Sequence, residues 1–174
     1  DNAPIQSQMA IIAIKQGDYE KAREIGKKFE NYAPIQSQMI TVAVKEDDFE
    51  TVKRIGKKFL NNEVIQSQIK EIKMKDINMA CRDAIEPLIY KMRKSVKLPF
   101  VCPVSGVIVN SMNDVHIDHY DLDFKDVVSR WVEENGGEDE IYNYISDTND
   151  NETVTYFVNP EIKKLSLIHI SEPT

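Results

Sequence analysis

At 174 residues with 41% hydrophobic side chains, the chain is long enough for one or two small domains with cores of their own. Its 22 Lys and Arg against 29 Asp and Glu give a net charge of −7, which excludes a general basic footprint for nucleic acid and leaves only a local patch for that role. Two cysteines without paired spacing exclude a disulfide framework and fit a reducing, cytoplasmic setting, and no apolar run reaches membrane-spanning length, so no membrane partner is expected.

The first sixty residues repeat with a period of thirty. Ala3-Pro4-Ile5-Gln6-Ser7-Gln8-Met9 recurs as Ala33-Pro34-Ile35-Gln36-Ser37-Gln38-Met39, and Ile65-Gln66-Ser67-Gln68-Ile69 opens a third copy. The second half of each unit repeats as well: Asp18-Tyr19-Glu20 and Ile25-Gly26-Lys27-Lys28-Phe29 match Asp48-Phe49-Glu50 and Ile55-Gly56-Lys57-Lys58-Phe59. Self-similarity at a fixed period marks a stacked array whose units bury one another's faces.

Each unit predicts two short helices. In the first, Pro4 suits the opening turn, and Ile5, Met9, Ile12 and Ala13 are expected on the buried face. Gly17-Asp18 breaks and caps, and Tyr19, Ala22, Gly26 and Phe29 form the inner stripe of the second helix, with Phe29 and Phe59 in equivalent buried places. Gly26 and Gly56 cost helix stability, so a close helix approach is the expected compensation. The Gln-Ser-Gln triplets read either as a ligand-binding surface or as polar edges that serve the stack. These units resemble tetratricopeptide-type helical hairpins, although that repeat is usually about 34 residues long and its Trp and Leu-Gly positions are missing here. The resemblance implies an α-solenoid that binds a protein partner.

The repeats are expected to occupy residues 1–75. A connecting helix follows over 76–97, with Ala80, Ala84, Leu88 and Met92 on one stripe and a kink or a fresh start at Pro87. Cys81 reads as a small packed residue. Lys91, Arg93, Lys94 and Lys97 supply the one local basic patch, or equally a set of cations at a helix C-terminus.

Residues 98–164 then read as a small α+β domain, which makes the fold class α+β with N-terminal helical-hairpin repeats. Phe100–Cys102 and Val107–Val109 are expected to pair as a hairpin around Pro103-Val104-Ser105-Gly106. Next comes His116-Ile117-Asp118-His119, which holds two of the chain's three histidines. Asp123 can cap a helix whose Phe124, Val127, Val128, Trp131 and Val132 keep helical spacing, with Trp131 as a core anchor, until Gly136-Gly137 ends it. An acidic, turn-rich stretch follows, with a short helix expected at Ile141–Ile145 and a strand at Thr153–Val158.

A Cys-Pro-x-Ser-Gly turn, a strand, an Asp-His pair and an amphipathic helix together resemble an HNH-type (ββα-metal) nuclease core. The resemblance implies Asp118 as a metal ligand, His119 as the general base that activates water on a phosphodiester, and His116 in support, with Mg²⁺ or Mn²⁺ as the metal and nucleic acid as the partner. The pattern's later Asn/His helix is not found before the end of the sequence, and Ser105 stands where a Cys-x-x-Cys knuckle would place a thiol. Strict strand alternation would also send Asp118 and His119 to opposite faces unless the strand ends or bulges there. The same residues fit ordinary polar positions on a half-exposed strand.

Leu165-Ser166-Leu167-Ile168-His169-Ile170-Ser171-Glu172-Pro173-Thr174 is similar to the in-frame translation of a transposon-based sequencing-library adapter. Residues 165–174 are therefore expected to be a non-native tail that packs against little, and the sequence a fragment at both ends. Two functions stand open: a metal-dependent HNH-like endonuclease with a helical-repeat interaction region, or a repeat-built protein-interaction module with a non-catalytic C-terminal domain.

Overall fold

The computed structural model describes residues 2–103, 105–115, 123–146 and 155–171, with side chains described as far as Leu167. The chain divides into two compact units, 1–72 and 73–174. The described residues are mostly helical, with one small two-stranded sheet.

Unit one is built from α1 (Ala3–Lys15), α2 (Tyr19–Lys28), α3 (Ala33–Lys45) and α4 (Phe49–Lys58), closed by the first turns of α5 (Glu63–Ser95). Local chemistry sets the boundaries. Pro4 and Pro34 sit in the opening turns of α1 and α3, where no backbone donor is lost. The Asp18 carboxylate accepts from Lys21 N at 3.1 Å, and Asp48 does the same for Thr51 N at 3.1 Å. The turn before each cap needs a left-handed residue: Gly17 takes it at φ 77°, and in the second copy Asp47 takes it at φ 54°.

The predicted glycine compensation is real. A Cβ on Gly26 would stand 2.6 Å from Met39 Cγ, and one on Gly56 would stand 2.5 Å from Ile69 Cδ1. Each glycine lets the next unit's first helix close onto the helix that carries it. The core of unit one gathers Ala22, Met39, Ile40, Val42, Val52, Ile55 and Ile65. Phe29 and Phe59 take equivalent places, but each is half-buried and not fully enclosed, because each caps the C-terminal end of its helix where the chain turns away.

One expectation fails in α1. Its buried residues are Ser7, Ala10, Ala13 and Ile14, whereas Ile5, Met9 and Ile12 face outward. Of the expected face only Ala13 is covered.

Unit two packs the rest of α5 with α6 (Phe124–Glu134), α7 (Glu138–Tyr142) and α8 (Pro160–Ser171). Ile77, Ala80, Cys81, Ala84 and Ile85 of α5 share one core with Val128, Trp131, Val132, Ile141 and Phe157. The predicted stripe on α5 holds at Ala80 and Ala84 and then departs. Leu88 and Met92 are exposed, since a straight helix carries an i+4 series away from a fixed face. Nor does Pro87 divide the segment: α5 runs unbroken across it to Ser95.

Trp131 is the anchor its spacing predicts. It is fully buried and meets Phe157 edge-on, with ring centroids 5.9 Å apart at 78°. Asp123 takes the N-cap position of α6 through its carbonyl, which accepts from Asp126 N at 2.9 Å, and its side chain makes no capping bond. Gly136 and Gly137, at φ 100° and 88°, end the helix as expected.

The expected helix at Ile141–Ile145 begins earlier, at Glu138, where three acidic residues favour a helix N-terminus. The expected strand at Thr153–Val158 reduces, among the described residues, to one antiparallel bridge, Ile145 to Phe157. Helix α8 continues past Lys164 into the tail. Ser166 is fully buried and Leu167 packs at the edge of the core, so these two residues do not show the expected lack of packing. Leu165 does face solvent.

Candidate functional site

Two places are candidates for chemistry or recognition. The first is the turn at Cys102. Strands β1 (Phe100–Val101) and β2 (Ile108–Val109) pair antiparallel, with Phe100 opposite Val109. The hairpin is closed by Cys102 N donating to Val107 O and by Gly106 N donating to Cys102 O, both at 2.9 Å. Gly106 sits at φ 70°, where only glycine is relaxed. Ser105 N donates to Cys102 Sγ at 3.4 Å, so the thiol is held within its own turn. The predicted hairpin is thus present, with α6 following it in the chain.

His116, Asp118 and His119 lie outside the described residues. Among the described residues, no group of three His, Cys, Asp or Glu stands together to hold a metal. Of the basic patch, Lys91, Arg93, Lys94 and Lys97 are all exposed. Arg93 is turned to a structural task, donating to Met112 O at 3.1 Å, and Lys94 lies 4.4 Å from the Tyr90 ring centroid.

The second place is the outward face of α1, and sequence reasoning assigned it to the core. Its meaning comes from the period. Ile35, Met39 and Val42, the counterparts of Ile5, Met9 and Ile12, are 0%, 6% and 2% exposed, while Ile5, Met9 and Ile12 are 57%, 37% and 53% exposed. In the third copy Ile65 is fully buried and Ile69 and Ile72 are half-buried. A face that is covered in the second and third copies is bare in the first.

A polar key accompanies that face. Gln36 Nε2 donates to Gly26 O at 2.9 Å and to Phe29 O at 3.2 Å. Gln66 Nε2 makes the same pair of bonds to Gly56 O at 3.1 Å and Phe59 O at 3.0 Å. Each amide bonds two carbonyls at the end of the preceding helix, of which Phe29 O and Phe59 O also accept from Tyr32 N and Asn62 N, each at 3.0 Å. The first Gln of the Gln-Ser-Gln triplet is therefore a stacking residue. The third position joins in: Ser37 Oγ donates to Gln68 Oε1 at 2.9 Å. Gln6, the counterpart of Gln36 and Gln66, has no side-chain partner among the described residues.

The signal for this face was legible in the repeat. The same positions recur at a fixed period, so the three copies can be compared residue by residue. No protein-family model matches the sequence, and no curated protein or solved structure matches it.

Proposed function

We propose that this chain is a protein-interaction module, in which TPR-like helical hairpins stacked as a short α-solenoid present a docking face for a helical partner. The observation that supports this reading is the repeated junction, in which Gln36 and Gln66 bond the preceding helix and Met39 and Ile69 close over Gly26 and Gly56, as in a stacked array; Ile5, Met9 and Ile12 of α1 are exposed. Three large apolar side chains in a row on one exposed helix form a patch of the kind that marks a recognition surface. The second unit then supplies a structured C-terminal body. No described helix is long and apolar enough to cross a membrane.

The test is a display selection of helical-hairpin libraries against the full chain. Binders should lose binding to an Ile5→Asp/Met9→Asp/Ile12→Asp variant whose circular dichroism is unchanged, since all three positions are exposed. If every binder is indifferent to residues 2–72, the docking reading is wrong.

A second reading has its own observation. The β1–β2 hairpin around Cys102–Gly106, with α6 after it, has the ββα order of an HNH-like nuclease. On that reading Asp118 would hold Mg²⁺ or Mn²⁺ and His119 would be the base, with His116 beside them and nucleic acid as substrate. Mn²⁺ titration with water-proton relaxation as readout tests it. Binding that survives Asp118→Ala, or plasmid nicking that survives His119→Ala, would remove those roles.

A further inference from the structure

The C-terminal turn of α6 holds a reactive dipeptide that the fold itself requires. Of the chain's asparagines only Asn135 precedes a glycine. Glycine at 136 is not exchangeable: its φ is 100°, and a Cβ there would stand 3.2 Å from both Cβ and Cγ of Glu140. With no side chain to hinder it, the Gly136 nitrogen is the backbone nitrogen best able to attack a preceding side-chain amide. We propose that Asn135 is a deamidation site gated by the end of α6, inert while the turn is closed and converted irreversibly to aspartate and isoaspartate when the turn opens.

In the reaction Gly136 N gives up its proton to solvent and bonds to Asn135 Cγ, ammonia leaves, and a cyclic imide forms. Water then adds to either ring carbonyl and opens the ring to aspartate or isoaspartate. Water enters, ammonia departs, and nothing is oxidised or reduced. The closed turn forbids the first bond. At ψ 27° the Gly136 nitrogen lies nearly opposite Asn135 Cβ across the Cα–C bond, whereas ring closure needs both on the same side. Turning ψ would break what holds the turn. Asn135 N donates to Trp131 O at 3.1 Å, Asn135 Nδ2 donates to the same oxygen at 2.8 Å, and Gly137 N donates to Val132 O at 2.9 Å. Trp131 and Val132 belong to the core of unit two, so those oxygens stay in place while the core is intact. Asn135 is half-buried and Gly136 is exposed, so water reaches the site once the turn frays.

The product closes the turn less well than the amide does. Aspartate at 135 puts a carboxylate where Nδ2 met the Trp131 carbonyl. It also adds a negative charge at a helix C-terminus flanked in sequence by Glu133, Glu134, Glu138, Asp139 and Glu140. Isoaspartate lengthens the backbone by a methylene as well, which carries Gly137 N off Val132 O. The change therefore runs one way, and it weakens the helix that anchors Trp131.

To test this, the full chain is held at mildly alkaline pH while peptide mapping by mass spectrometry follows amide-to-acid conversion at each asparagine. A synthetic peptide of residues 130–141, too short to keep a helix, gives the ungated rate in the same buffer. Asn135 should convert fastest of the asparagines when the chain is unfolded in urea, and at least about tenfold more slowly in the folded chain than in the peptide. Trp131→Phe thins the core beneath the turn without emptying it. It should raise the rate in the folded chain, with circular dichroism confirming the fold, and leave the rate of a peptide carrying the same change alone. Asn135→Asp, made directly, should melt below the native chain at neutral pH, with the gap narrowing in acid. Equal rates in peptide and folded chain overturn the inference, as does another asparagine outpacing Asn135 in urea. A folded Trp131→Phe chain that reacts at the native rate overturns it too, and so does an Asn135→Asp chain that melts with the native one.

Discussion

Asp76 is the residue at which burial and charge are most at odds. It is 8% exposed, and its carboxylate accepts from Tyr142 Oη at 3.1 Å. Burial pushes its pKa up, and the Tyr142 hydroxyl and Lys75 pull against that. A folded value above the unfolded 3.8 means the native state holds the proton more tightly. That contribution to stability is full below the unfolded value and is lost as pH rises through the folded one, so at neutral pH the ionised group is a liability. Asp76→Asn keeps an acceptor for Tyr142 and removes the charge. Its melting temperature should exceed that of the native chain at pH 7, and the gap should close near pH 3. Cys81 gives the alkaline counterpart. Burial alone lifts its thiol from 9.0 to about 12, so stability should fall as pH rises above 9. At about pH 10.5 the loss should be on the order of 2 kcal/mol, and Cys81→Ala should remove it in paired denaturant titrations. The native thiol should also resist a disulfide reagent that modifies Cys102.

At the scale of elements, the two close approaches differ in how much each can yield. Met39 meets Gly26 with the middle of its side chain and is 6% exposed, while Ile69 meets Gly56 with its terminal methyl and is only half-buried. Gly26→Ala should therefore cost about 1–2 kcal/mol despite the better helix propensity of alanine, and Gly56→Ala should be nearer neutral. Adding Met39→Ala should relieve the Gly26→Ala strain, and a double-mutant cycle measured by urea unfolding would show the coupling. The helices, their Asp caps and these glycines were legible because each leaves a local mark: a period, a capping residue, a residue without Cβ. What was not legible depended on neighbours. The apolar residues of α1 point outward because burial belongs to the partner that covers a face and not to the face. The α5 stripe drifted at Leu88 because helical phase accumulates over a long helix. Pro87 left α5 intact, for its preceding turns are held by packing at Ala84 and Ile85.

For the molecule as a whole, the sequence indicated helical repeats followed by a smaller α+β part, and the described residues have that composition. The hairpin at Cys102 was legible from turn chemistry, in which Pro103 and Gly106 leave few alternatives. The candidate chemistry was legible only as residue types. Asp118 and His119 are adjacent, and whether adjacent side chains converge is decided by backbone geometry that a residue string does not encode. The outward face of α1 was misread for the converse reason. Its residue types say core, and in the second and third copies the same positions are covered.

The amide pairs at Gln36 and Gln66 have a consequence for how the chain can change length. An apolar seam alone tolerates sliding, but a side-chain amide that must reach two particular carbonyls fixes one alignment. Because both junctions use the same alignment, they are interchangeable. Excising residues 31–60 would join Glu30 to Asn61 and bring Gln66 to the carbonyls of Gly26 and Phe29, with Ile69 in place of Met39 above the glycine. The shortened chain should melt cooperatively with one helical hairpin fewer. Excising twenty-eight residues in place of thirty should leave an ill-packed, aggregation-prone product, as scanning calorimetry and light scattering would show. In this architecture thirty residues is a unit of heritable change: the chain can gain or lose whole periods without inventing a contact.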